Sequence, residues 1–149
     1  VSGELDTTIG GRPFDFLAKP VTPRRSIYGF VNRDIMSSLA STFDGPNSSS
    51  CTAKRAETNV PQQTLFALNS NFIQDRARAL ASSDAMLAAR TDAERVTLLY
   101  QRTFSRSPQP AELETVLHYV QMQDDDSKVS SWHRLAHVLL AANEFNFVD

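Results

Sequence analysis

From Thr91 to the carboxyl end, apolar side chains recur every three or four residues, and the runs open at recognisable helix starts. Thr91 with Glu94 three residues on has the form of a capping box, and the helix it opens carries Val96, Leu99, Tyr100 and Phe104. Pro110 suits a first helical position, where no amide is needed; Leu113, Val116, Leu117 and Val120 follow it at the spacing of one buried face. Ser131 is the cap candidate for a further helix along Trp132, Leu135, Ala136, Leu139 and Leu140. Upstream, Thr58 to Ala81 reads as two consecutive helices. In the first, Asn59 and Gln62 cap, Pro61 enters, and Leu65, Phe66 and Leu68 place a short apolar helix in the core. Asn69 then suits a left-handed helix end, and Ser70 the cap of a helix with Phe72, Ile73, Ala77 and Leu80 on one face. No strand alternation, βα alternation or solenoid period competes with this pattern. The expected fold is mainly α, an irregular helical bundle with a loop-rich amino-terminal arm.

That arm is residues 1–23, where Gly3, Gly10, Gly11, Pro13, Pro20 and Pro23 break helices and leave at most an extended piece around Leu5 to Ile9. Residues 24–149 are the bundle, and the whole is expected to be a single domain. Within it, Arg24 to Asn32 suits either a strand or a helix interrupted by Gly29, and helix is the preferred reading. Asp34 would cap a following turn that buries Ile35, Met36, Leu39 and Phe43, and Gly45 to Lys54 is a polar surface loop. After Ala81, the residues Ser82, Ser83 and Asp84 either turn or restart a helix through Met86 and Leu87. Asp124, Asp125 and Asp126 stand badly at a helix carboxyl end and are expected in a mobile loop, and the terminal NEFNFVD should fold its aromatics back on the bundle.

A chain of 149 residues with 41% hydrophobic and 21% charged residues can bury a core without staples. Its net charge of -2 and lack of a dense basic cluster argue against nucleic acid as a partner. No apolar run is long enough to span a bilayer. The single Cys51 allows no internal disulfide and no Cys-x-x-Cys-His attachment of haem, so no cofactor is expected in this chain. The start at Val1 is read as that of a processed product or of a piece of a longer protein.

Several stretches together resemble one family: Gly10-Gly11, RRSIYGFVNR from Arg24, TFD from Thr42, the loop containing Cys51, TNVPQQTLFALNSNFI from Thr58, the break from Arg106 to Pro110, and WHRLAHVLLAANEFNFVD at the end. The chain resembles the carboxy-terminal part of the planctomycete domain of unknown function found in large proteins beside cytochrome c-like domains. The resemblance runs over nearly the whole length. It implies a multidomain parent, exported and periplasmic or surface-held, with haem on other domains and those domains as partners. It implies no activity. Asn71 departs from the proline common in relatives after the Asn-Ser pair, which leaves that helix start less rigid.

Three groups of residues could carry chemistry. His133 and His137, four apart on one helix, have the spacing at which two imidazoles share a metal, against a reading as two half-exposed side chains; His118 is a third candidate. Arg24, Arg25, Asp44, Lys54, Arg55, Glu57 and Asn59 could hold an acidic or sulfated sugar, against a reading as loop anchors. Cys51 could be a nucleophile but has no placed base, and the Asp124 to Asp126 run lacks the alternation of a calcium loop. The residues point to a structural or interaction module without catalysis of its own. A carbohydrate-binding module is the first alternative, and an enzyme site completed by an upstream segment is the second.

Overall fold

A computed structural model describes residues 1–15, 22–32, 42–45, 51, 61–122 and 129–146. Its α-helices are α1 (Pro61–Asn69), α2 (Asn71–Ala81), α3 (Asp84–Ala88), α4 (Asp92–Phe104), α5 (Pro110–Gln121), α6 (Ser131–Ala141) and the single turn α7 (Asn143–Asn146). The chain is mainly α with a loop-rich amino-terminal region, as the periodicity predicts. It forms two compact units, one of Glu4–Phe66 and one of Ala67–Asp149 together with Val1–Gly3, with the sequence boundary inside α1.

The Ala67–Asp149 unit holds the core. Ala77 and Leu80 of α2, Met86 of α3, Val96, Leu99 and Tyr100 of α4, and Leu135, Ala136, Leu139 and Leu140 of α6 are buried together. The most extensive helix contact is between α2 and α6, where Ala77 and Ala136 are fully buried; residues this small let two helix backbones approach closely. Helix α5 packs on α4 and covers the core from one side with half-buried Leu113, Val116, Leu117 and Val120. Phe145 of α7 folds back on the same cluster. Thr103, the buried polar residue of α4, donates its hydroxyl to the Leu99 carbonyl at 2.8 Å and so carries no unsatisfied group inward.

The helix starts follow the sequence closely. Thr91 Oγ accepts from the Glu94 amide at 3.2 Å, and Glu94 Oε2 accepts from the Thr91 and Arg90 amides, which completes the capping box. Pro110 is the first residue of α5, as expected. The cap of α6 is one residue earlier than expected: Ser130 Oγ accepts from the Trp132 amide at 3.3 Å, and Ser131 is already helical. Ser70 takes the extended backbone of a cap before α2 but makes no capping bond through its side chain. Asn69 is not left-handed, since Asp44 and Ser105 are the non-glycine residues with positive φ among those described. Helices α1 and α2 are therefore joined by one extended residue.

The expectation that α1 sits in the core is corrected. Leu65 is 56% exposed and Leu68 46%, and the residue of α1 that is buried is Ala67. Leu65 and Leu68, three residues apart, share one exposed side of the helix, and the less exposed side runs through Gln63, Phe66 and Ala67, so the apolar residues do not form one buried stripe. On α2 the stripe is real, but its edge residue Phe72 is 42% exposed, with the Arg76 guanidinium over its ring at 5.6 Å.

In the Glu4–Phe66 unit, the segment around Arg24 to Asn32 is not a helix. Ser26–Tyr28 makes one 3-10 turn, and the residues beside it pair with the arm: Asp6 with Arg24 and Phe14 with Gly29, as isolated parallel bridges. The Phe30 amide donates to Phe14 O at 2.7 Å and the Asp6 amide to Pro23 O at 2.9 Å. These bonds to the arm take backbone groups that a longer helix would need. Phe43 meets Phe66 edge-on at 5.4 Å, and the Gln63 side chain donates to Thr42 O at 3.0 Å. The expected turn at Asp34 to Leu39, most of the loop from Gly45 to Lys54, the Asn59 cap and the acidic run at Asp124 to Asp126 lie outside the described residues.

Candidate functional site

The densest polar cluster of the described residues surrounds Arg106, in the break between α4 and α5. The break begins at Ser105, whose left-handed backbone (φ 57°) lets its amide return to Gln101 O at 3.1 Å and turns the chain away from the α4 axis. Arg106 then lies beside the start of α5. Its NH1 and NH2 groups donate to the two oxygens of Glu112 at 2.8 Å each, while Nε and NH2 donate to Glu144 of α7 at 2.5 and 2.9 Å. NH1 also reaches Ser107 O at 3.2 Å. All five guanidinium hydrogens are engaged in a doubly bidentate arrangement. The cation also lies 5.4 Å from the Tyr100 ring and 5.6 Å from the Phe104 ring, which are themselves edge-on to each other.

The electrostatics follow from these bonds. Arg106 and the Gln109 amide, which donates to Glu112 at 2.7 Å, hold the Glu112 carboxyl down at about 2. Hydrogen bonding to Arg106 lowers Glu144 as well, and the two carboxylates raise Arg106. Burial pushes the Tyr100 phenol up. Such a cluster fastens α7 to the α4–α5 connection and leaves no donor of Arg106 free to bind a ligand.

His133 and His137 lie on α6, half-buried against neighbouring helices. His133 Nε2 lies 3.0 Å from Gln74 O of α2, and His137 Nε2 lies 2.9 Å from Ala67 O near the end of α1. A carbonyl only accepts, so both Nε2 atoms carry hydrogen and donate. Ala67 O belongs to the last turn of α1, where carbonyls lack a helical partner, and His137 supplies one. His118 is exposed on α5. Among the described residues, no three His, Cys, Asp or Glu side chains come together as a metal centre would need.

The amino-terminal candidates are partly visible. Arg24 NH2 donates to Gly10 O and NH1 to Arg12 O at 3.2 Å, while its guanidinium lies 4.8 Å from the Tyr28 ring. Gly10 and Gly11 both have positive φ, and a Cβ on Gly11 would lie 3.5 Å from the Arg24 guanidinium, so the loop wraps the cation. Nearby, donors of Thr8 hold the Asp6 carboxyl below its usual range. Arg25 is exposed and its carbonyl accepts the Tyr28 amide at 3.1 Å; Asp44 is half-buried with a left-handed backbone. Lys54, Arg55, Glu57 and Asn59 lie outside the described residues, and Cys51 is exposed.

One further concavity, of 610 Å³, lies between α3 and α4 and is lined by Ala85, Ala88, Ala89, Ala93, Glu94, Thr97 and Leu98. It is open and mostly apolar, and Glu94 is tied into its capping box. The Arg106 cluster is the feature that sequence reasoning missed. Glu112 is legible as an acidic residue in a first helical turn, but Arg106 and Glu144 are 38 residues apart and share no local pattern.

Comparison with known proteins gives a family. The family described as PSD1, protein of unknown function (DUF1553), matches residues 1–120. No curated protein and no solved structure matches the chain.

Proposed function

The chain belongs to the DUF1553 family of proteins of unknown function, and from that premise we propose that it is a structural or interaction module without catalysis of its own. It would serve a larger exported protein, in the periplasm or at the cell surface, in which haem is carried by cytochrome c-like domains elsewhere in the same chain. The resemblance in its motifs supports this setting, and the other domains of that chain are then its natural partners.

The observation that carries the reading is how the polar side chains are used. Arg106, Glu112 and Glu144 complete one another, both α6 histidines donate to helix carbonyls, and Arg24 is wrapped by its own loop. These groups hold the fold. Meanwhile Leu68, Phe72, Leu87 and Val138 of the helical unit are exposed, which leaves apolar surface for contacts with neighbouring domains.

A thermal-shift screen tests this reading, since any ligand of the native state raises the melting temperature. The expected outcome is no shift with divalent metals or with neutral, carboxylated or sulfated oligosaccharides, and a rise when the remaining domains of the parent are supplied in trans. A dose-dependent rise with one sugar class would replace the proposal with a carbohydrate-binding module. A rise with zinc or nickel that His133→Ala abolishes would replace it with a metal site.

A further inference from the structure

We draw no further inference here: the strongest candidate, the open alanine-lined groove between α3 and α4, is an unpartnered apolar surface and nothing in the structure shows what covers it.

Discussion

Replacing Leu80 and Leu65 by alanine, one at a time, separates the observed core from the one that the Thr58 to Ala81 stretch suggests. Leu80 is 0% exposed and belongs to the cluster formed by α2, α4 and α6. The change removes three carbons, about 2.4 kcal/mol of transfer free energy at roughly 0.8 kcal/mol each. The cavity left in a packed interior raises the loss to about 3–4 kcal/mol. Leu65 is already 56% exposed, so less than half of that transfer energy is at stake and no enclosed cavity forms. About 1 kcal/mol is the expected loss there. For a chain of this size the two variants should lower the melting temperature by about 10 °C and about 3 °C. Urea unfolding followed by circular dichroism, with the m-value checked for constancy, gives the free energies directly. Equal losses at the two positions, or a loss below about 1.5 kcal/mol for Leu80→Ala, would refute the assignment of the core to α2, α4 and α6.

The remaining predictions concern caps and charges. Glu112 has an ordinary value of 4.5 and is held at about 2 in the fold, so its contribution is complete above 4.5 and is lost as the pH falls towards 2. Glu112→Gln should therefore flatten the dependence of stability on pH across that window, and an unchanged slope in urea titrations would contradict the clasp. His137→Ala should cost about 1–2 kcal/mol by leaving the Ala67 carbonyl without its donor, and His137→Gln, which restores a donor, should recover part of it; equal losses in chemical denaturation would argue that the bond is unimportant. Thr91→Ala should lose about 1 kcal/mol of stability and speed hydrogen exchange at the Glu94 amide. Ser105→Gly should gain about 0.5–1 kcal/mol in thermal unfolding, because glycine takes the left-handed backbone without strain.

Much of the helical unit is legible in the sequence because its signals are local. Thr91 and Glu94, or Pro110 and the residues behind it, fix a helix start within one turn, and the residues at i, i+3, i+4 and i+7 of α5 fix the face it presents. What misleads is apolar content that does not say which side is covered. Leu65 and Leu68 share one side of α1 that the fold leaves exposed, and the covered side runs through Gln63, Phe66 and Ala67 instead. The segment from Arg24 to Asn32 fails for another reason: Phe14 of the arm donates to the Tyr28 carbonyl and accepts from the Phe30 amide, and Asp6 bridges beside Arg24, partners that periodicity cannot see.

The same distinction governs the candidate sites. The spacing of His133 and His137 fixes only that both lie on one side of α6. What each imidazole does is decided by the helices packed there, which offer carbonyls at Gln74 and Ala67. The charge of Arg24 marks it in the sequence, and its role is decided by two glycines whose left-handed backbones accompany the approach of Gly10 O and Arg12 O to the guanidinium. Arg106 shows the principle at its strongest, because five N–H donors, two carboxylates and two aromatic rings meet through three separate elements. A guanidinium so completely satisfied is poorly suited to ligand exchange and well suited to fixing the angle at which α7 leaves α6. If the proposed interaction module docks on neighbouring domains, the contacts would fall to side chains the fold leaves uncovered, and aspartate at Leu68, Phe72, Leu87 or Val138 should then weaken that association without lowering the melting temperature of the isolated chain.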